Sequence, residues 1–397
     1  AAGWGEGPMS RRALSPTCLS LVQALEGQTV AALAESQASR IVLGLSGGPD
    51  SLALAAALAW ATQRRDGPLA GLPAQAHVVD HGLQAGSAEV AAEAVRQAAQ
   101  LGLETRLSRV TVTRSGAGPE ADARRARLAV LLDQPEAVVL LGHTLDDQAE
   151  TVLLGLARGS GPRSLAGMAA RQGRLVRPWL GHRRSETERA CRDWGLRPWR
   201  DPTNQDPRYA RSRLRQGLAG LESYLGPGLA EALARTAQIC AQDADLLERL
   251  ADRELARRLA QVDPGASAPV SPAPAGSAPA GSAPAGLPLA GLSDLQPAAG
   301  QSVCPPHREP PAGDTKGEEP TRLPLAGLSD LHPALLSRVL LAWLRRSGGQ
   351  DLQASQIDAV ARLVTDWHGQ SHIALSGGQV RRRGDVLEFH PQPAPTG

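Results

Sequence analysis

The stretch that decides the fold is Arg40–Leu58, "RIVLGLSGGPDSLALAAAL". An apolar run enters Ser46-Gly47-Gly48-Pro49-Asp50-Ser51 and passes straight into an alanine- and leucine-rich segment. A strand that ends in two glycines and opens a helix exposes consecutive backbone N–H groups. Glycine lets that backbone approach a ligand closely and adopt φ > 0. With a helix N-terminus behind it, such a turn is a cradle for phosphate. Ser46 and Ser51 add hydroxyl donors. Asp50 would repel phosphate unless a cation sits between them, which points to Mg²⁺.

A second stretch spells nearly the same letters. "LSGGQ", Leu375–Gln379, matches the signature pentapeptide of ABC-transporter ATPases. It lacks a following Asp and a helix start, and it lies between two short β-like runs. An ABC ATPase also needs G-x-x-x-x-G-K-[ST], whereas the only lysine, Lys316, sits in "GDTKGEE". Ser376–Gly378 is therefore expected to be a hairpin turn.

Outward from Arg40 the pattern alternates short apolar runs with amphipathic segments. Strands are expected at Arg40–Leu45, Gln75–Asp80, Glu104–Val110 and Glu136–Gly142. Helices are expected at Ser51–Gln63, Ser87–Leu101, Pro119–Leu132 and Asp146–Arg158. Strands alternating with helices imply parallel pairing through right-handed crossovers, an α/β domain with a doubly wound parallel sheet. In such folds ligands bind at the carboxyl ends of the strands. The polar clusters obey that rule: Ser46–Ser51 follows the first strand, Asp80-His81-Gly82 ends the second, and His143–Glu150 follows the fourth.

Beyond Arg215 the reading is helical over Leu218–Leu259, broken by "GPG" at Gly226–Gly228. An Ala-Pro-Gly-Ser stretch at Pro264–Gly286 is too poor in apolar bulk to fold. "LPLAGLSDLQPA" at Leu287 recurs as "LPLAGLSDLHPA" at Leu323. Two copies do not build a solenoid, and the second, leading into "PALLSRVLLAWLRRSG", is expected to be the folded one. A closing helix (Ala354–Trp367) and a small β unit (His372–Phe389) end the chain. The expected segments are 1–38, an N-terminal helix; 39–215, the α/β catalytic domain; 216–262, a helical connection; 263–322, the insertion; and 323–397, a mainly helical C-terminal domain with a small β unit.

The 397 residues suffice for two or three domains, and 42% hydrophobic with 21% charged residues describes a globular chain. Aromatics make up only 3%, so aliphatic and alanine packing must carry the core. Cys18, Cys191, Cys240 and Cys304 form no C-x-x-C pair, which argues against a disulfide framework, a zinc site or a paired-thiol sulfur relay. No apolar run is long enough to span a membrane. "RRALSPTCLSLVQAL" mimics a signal peptide weakly and reads better as a first helix; Met9 is a candidate start. The net charge is +2, yet Arg158–Arg215 holds 15 arginines against 5 acidic residues. Two accounts fit such an excess: counterion release onto a phosphate backbone, or a solvated surface face.

The stretch "LGHTLDDQAETVLLGLARGSG", Leu141–Gly161, carries the second chemical signal. From a helix start near Asp146, both Asp146 and Asp147 share a face with Glu150. Acidic groups beside a phosphate site bind Mg²⁺ or a cationic substrate. Together with "SGGPDS", "VVDHGL" (Val78–Leu83), "PEADARRARL" (Pro119–Leu128) and "RDPTNQDPRYARSRLR" (Arg200–Arg215), this stretch resembles the tRNA(Ile)-lysidine synthetases of the PP-loop ATP pyrophosphatase superfamily. The resemblance covers Arg40–Arg215 and continues more weakly through the C-terminal helices. Departures are Thr144 where the family often has His, Leu128 for Tyr, Gln84 for Arg and Ser212 for Asn.

The resemblance implies a Rossmann-like PP-loop fold and a cytoplasmic, ATP- and Mg²⁺-dependent ligase forming a carbon–nitrogen bond. In the family, ATP adenylates the position-2 oxygen of the wobble cytidine in the CAU-anticodon isoleucine tRNA, releasing pyrophosphate. The ε-amine of free L-lysine then attacks that carbon, giving lysidine and AMP. Carried over to this chain, Ser46, Gly47, Gly48, Pro49, Asp50, Ser51, His81, Gly142 and His143 bind ATP, with Asp50 the metal ligand. Asp50, Arg124, Asp147 and Glu150 are catalytic, and Asp147 and Glu150 take lysine. Glu120, Arg124 and Arg127 share one side of their helix. Arg158, Arg177, Arg211 and Arg215, with the C-terminal domain, hold tRNA. A homodimer is compatible with the sequence, which does not set the oligomeric state. A cytidine-thiolating relative and a non-catalytic RNA-binding relative remain as alternatives.

Overall fold

A computed structural model of the chain describes residues 13–82, 86–113, 118–159, 161–201, 210–262, 321–370 and 372–392. The Ala-Pro-Gly-Ser stretch and the first repeat copy lie outside the described residues. So do Met9, Gln84, Cys304, Lys316 and residues 202–209 of the last motif. Two compact units divide the chain, the break falling between Gln242 and Asp243.

The first unit begins with α1 (Pro16–Ser36), where the Ser15 side chain accepts from the Cys18 N–H and Pro16 opens the first turn. Then β1 (Arg40–Leu45), α2 (Pro49–Gln63), β2 (Ala74–Asp80), α3 (Ser87–Gln100), β3 (Glu104–Arg109), α4 (Pro119–Leu132), β4 (Ala137–Leu140) and α5 (Leu145–Ala157) follow in strict alternation. After them come α6 (Pro162–Leu165), β5 (Arg171–Gln172), β6 (Leu175–Val176), α7 (Arg184–Asp193) and α8 (Ala210–Leu225). The helix α9 (Leu229–Val262) contains the break.

The sheet runs β3-β2-β1-β4-β6-β5, parallel except for β5 against β6. β1 to β4 fall within two residues of the expected spans, although β3, ETRLSR, is polar and largely exposed. β5 and β6, two residues each, carry no periodicity and were not foreseen. Chain order builds outward from β1 through β2 to β3, then crosses to β4 on the other side. The carboxyl ends of β1 and β4 therefore flank a topological switch point, where α/β sheets bind ligands.

α2 is buried on every side, with Leu52–Ala59 and Ala61 inaccessible to solvent. Its near-uniform Ala/Leu composition makes that possible, since α1 and α7 both pack on it. Around it Leu21, Leu25, Ile41, Leu43, Trp179 and Trp194 form the main core. Trp179 satisfies its indole by donating to the Leu21 carbonyl at 2.9 Å. The start of α2, which carries Asp50, is held by this packing.

The second unit pairs β7 (Thr321–Pro324), β8 (Ile373–Leu375), β9 (Gly378–Arg383) and β10 (Val386–Pro391) as an antiparallel sheet, order β7-β10-β9-β8. Helices α10 (Pro333–Arg346) and α11 (Ala354–Thr365) pack with it around Trp343 and Phe389. The small β unit is larger than its sequence suggested, because β7 joins it: Leu323 and Pro324 come from the second repeat copy, and Thr321 and Arg322 from the end of the segment expected to be insertion. Ser376 and Gly377 make the expected hairpin turn between β8 and β9, with Gly377 at φ +90°. Among the described residues no helix is long and apolar enough to cross a membrane.

Candidate active site

At the end of β1 the chain turns through Gly47 at φ +82°, and Gly48 caps α2 in an extended conformation. The Gly47 carbonyl accepts from the Trp199 N–H at 2.9 Å, which holds the turn from outside. Ser46 and Ser51 lie hydroxyl to hydroxyl at 3.0 Å, and the Ser51 oxygen also accepts from the Ser46 N–H. Asp50, in the first turn of α2, faces the same cavity of about 840 Å³ as both serines. Thr187 donates to Asp50 Oδ1, and Arg184 Nε lies 3.4 Å from Oδ2. Burial pushes the Asp50 carboxyl up to about 6 despite that guanidinium.

Two residues beyond β4, position 142 has room only for glycine. A Cβ there would lie 3.0 Å from the Asp50 carbonyl carbon and oxygen and 3.1 Å from the Ser51 nitrogen, all backbone atoms. Gly142→Ala is expected to displace the first turn of α2 and weaken ATP binding by about tenfold, on the order of the 1–3 kcal/mol typical of overpacking. Calorimetric titration with ATP would check it; unchanged affinity would show that the contact relaxes freely.

The acidic cluster sits on the first turns of α5. The Thr144 N–H and hydroxyl donate to Asp147 Oδ2 at 2.8 and 3.0 Å. Arg184 Nη2 meets Asp147 Oδ1 at 2.6 Å. Burial alone would raise the Asp147 carboxyl, but Arg184 and the Thr144 bonds outweigh it and hold it below the usual range. Asp146 accepts from the Arg184 N–H at 2.7 Å and pairs with Arg183. Glu150, only 2% exposed, is gripped by Arg215 at 2.8 and 3.2 Å and does not line the cavity.

A cationic group faces this acidic one. Arg127, Arg211 and Arg215 line the cavity with His81 and His143. Burial, with nearby Arg127, lowers the His81 imidazole. His143 is pushed down to about 3, chiefly by burial and against the pull of Asp147, with Arg177, Arg124 and Arg127 adding repulsion. Its Nδ1 is buried without a hydrogen bond. Arg124 does not line the cavity, but His143 and Arg177 both feel its charge.

The four arginines assigned to tRNA do not form one surface. Arg211 and Arg215 reach the cavity, and Arg158 caps the end of α5 in the open. Arg177 is buried, 4% exposed, and donates to the Ala169 carbonyl at 2.8 Å; in this conformation it offers no face to an RNA backbone.

Sequence reasoning missed Arg184 and Thr187. Both belong to α7, which folds back onto the PP-loop from far along the chain. Its only local sign is "RRSE", where the Glu186 carboxylate accepts from the Arg183 N–H at 2.6 Å, marking a helix start. Cys191, on the same helix, lines the cavity, but burial pushes its thiol up to about 12 and its Sγ is spent on the Pro49 carbonyl at 3.2 Å. A thiol so placed stays protonated and is a poor sulfur nucleophile.

A model of the PP-loop domain matches residues 21–221, and a model of the TilS substrate binding domain matches residues 323–387. The curated tRNA(Ile)-lysidine synthase of Leifsonia xyli subsp. xyli is 43% identical over 357 residues, 88% of this chain and 90% of its own. That of Rhodococcus erythropolis is 39% identical over 386 residues, 94% and 96% of the two chains. The chain belongs to the tRNA(Ile)-lysidine synthase family. The enzyme of that name from Thermobifida fusca is 41% identical over 353 residues, 87% of this chain and 90% of its own. A solved U34-tRNA thiolase from Methanococcus maripaludis covers 56% of this chain and 78% of its own at 18% identity and a TM-score of 0.45, too loose a likeness to argue from. Thr144, where the resemblance leads one to expect His, holds Asp147 Oδ2 through its hydroxyl at 3.0 Å. Leu128 packs beside Leu131 and Val139, and Ser212 is buried.

Proposed function

We propose that the protein ligates free L-lysine to the wobble cytidine of the CAU-anticodon isoleucine tRNA at the expense of ATP, releasing AMP and pyrophosphate. One observation carries the reading: a phosphate cradle with Asp50 and a carboxylate, Asp147, open into the same cavity. The first supplies adenylation, and the second attracts an amine nucleophile.

ATP binds with its β and γ phosphates on the Ser46–Ser51 turn, held by the N-terminus of α2. Asp50 is the one carboxylate on that turn. Among the described residues no group of three or more His, Cys, Asp or Glu is arranged to hold a metal. Mg²⁺ commonly uses one or two carboxylates and completes its shell with phosphate oxygens and water, so Asp50 suits an ion carried in with ATP. Bound there, the ion would neutralise phosphate charge. Arg127, which lines the cavity, stabilises charge gathering on the α-phosphate as the cytidine oxygen attacks, and Arg124 adds its field from behind. Lysine enters as ammonium, since its free pKa is about 10.4; Asp147 draws it in, and Glu150 with Arg215 keeps that carboxylate in place. Arg211 and Arg215 receive the phosphates around the splayed wobble base.

The Asp50 environment has a measurable cost. The folded carboxyl holds its proton more tightly than the unfolded one, from 3.8 up to about 6. Its contribution to stability is therefore full below 3.8 and is lost as the pH rises through about 6. Asp50→Asn is expected to stabilise the ligand-free protein by on the order of 2 kcal/mol near pH 7.5 and by much less near pH 4.5, while abolishing adenylation. Thermal melts at the two pH values decide it, and an equal gain at both would remove the electrostatic explanation.

The function itself is tested with purified protein, the CAU-anticodon isoleucine transcript, ATP and radiolabelled lysine. Lysine retained in the tRNA with one AMP per event is the expected result. AMP without retained lysine would move the nucleophile to another donor, and no AMP would leave an RNA-binding protein.

A further inference from the structure

Asp50 belongs to the phosphate cradle, and Asp147 and Glu150 to the acidic cluster. A single guanidinium holds all three. Arg184 Nε lies 3.4 Å from Asp50 Oδ2, Nη2 2.6 Å from Asp147 Oδ1, and Nη1 3.5 Å from Glu150 Oε1. Burial works against its charge, yet these carboxylates raise its basicity above that of an ordinary arginine.

The two oxygens of Asp147 differ in what they can offer a substrate. Oδ2 is committed to the Thr144 N–H and hydroxyl. Oδ1 takes Arg184 and, at 3.7 Å, Arg215. Glu150 is engaged at both oxygens by Arg215. The oxygen best placed to receive an incoming ammonium, Asp147 Oδ1, is therefore the one that Arg184 fills.

We propose that Arg184 is an exchangeable internal cation that occupies the ammonium seat until ATP arrives, so that lysine binds after the nucleotide. The inference rests on the assignment of lysine to Asp147. A guanidinium bonds phosphate as readily as carboxylate, and Arg184 lines the same cavity as Ser46 and Ser51. With a cation bound at Asp50, that carboxylate would hold Arg184 less tightly, and the polyphosphate would offer the guanidinium new acceptors. Its backbone stays fixed meanwhile, because the Arg184 N–H is anchored on Asp146 Oδ2 at 2.7 Å. Oδ1 of Asp147 is then released to the substrate. The positive charge leaving the seat matches the positive charge entering it, so the acidic cluster never stands unneutralised in a buried place.

The test is equilibrium dialysis of radiolabelled lysine against the full chain, with and without Mg²⁺ and a non-hydrolysable ATP analogue. Wild-type protein is expected to bind lysine about tenfold or more tightly with the nucleotide, within the usual range for coupled sites. Arg184→Gln should bind lysine without nucleotide about as tightly as wild type does with it. Arg184→Lys keeps the charge but, as a single-point donor, cannot span three carboxylates, and it should show an intermediate dependence. Wild-type protein whose lysine affinity ignores the nucleotide overturns the proposal, as does Arg184→Gln with undiminished nucleotide dependence. If the Gln variant fails to fold, a Lys variant with full wild-type dependence overturns it equally. Asp147→Asn separates the two layers: normal lysine binding by that variant refutes the seat itself, whereas lost binding there with an Arg184-independent nucleotide effect refutes only the role of Arg184.

Discussion

Arg124→Ala is expected to slow adenylation of the tRNA by at least about tenfold, with tRNA affinity close to wild type, because Arg124 acts on the developing charge through its field rather than as a donor lining the cavity. Arg124 lies on α4, and its charge is felt at His143, after β4, and at Arg177, after β6. The α-phosphate gains negative charge as it becomes pentavalent, and a fixed cation there stabilises that state more than the ground state. Arg127, Arg211 and Arg215 remain in the cavity to hold phosphates without it, so the loss falls on the chemical step. Single-turnover release of pyrophosphate measures the first quantity and filter binding the second. Equal losses in both would make Arg124 a tRNA contact instead.

Asp147→Asn is the second large effect, and it falls on the other half-reaction. Charge-assisted hydrogen bonds contribute about 1.5–3 kcal/mol, so apparent lysine affinity should drop roughly 10–100-fold. Adenylation should be nearly unchanged. Asparagine keeps an oxygen for the Thr144 N–H, so the start of α5 survives and the loss is one of charge rather than of fold. The KM for lysine, measured on tRNA already adenylated, reports it directly. An unchanged value would mean that the ammonium is held elsewhere.

These two residues were visible in the linear sequence for different reasons. Asp147 was legible because it follows a buried strand and opens a helix, and carboxylates at that kind of position face whatever the strand ends surround. Arg124 had only a helical spacing and a family resemblance behind it, and its neighbours had to be supplied by the fold. Arg184 had neither. It is one of 15 arginines between Arg158 and Arg215, and composition cannot single one out of such a run.

What the sequence determined by itself is local. The alternation of strand-like runs with helices places β1 to β4 and α2 to α5 to within a residue or two. For β1 and β4 the reason is burial on both faces of a parallel strand, which leaves a nearly unbroken apolar run. β3, ETRLSR, is polar and largely exposed and was placed by its position between two helices. The Ser-Gly-Gly turn, the second repeat copy as a folded segment and the hairpin at Ser376-Gly377 also followed from local chemistry. Tertiary structure decided the rest. β5 and β6 are too short to have a period, and they exist because they pair at the open edge beside β4. Arg177 reads as a surface arginine and is buried, because its neighbours close over it and the Ala169 carbonyl receives it. Arg184 and Asp50 are 134 residues apart in the chain. They meet because α7 packs on α2 through apolar contacts that include Cys191, Trp194 and the alanines of α2. Burial chooses which helices touch, and only then does a guanidinium find the carboxylates of two half-sites within its reach.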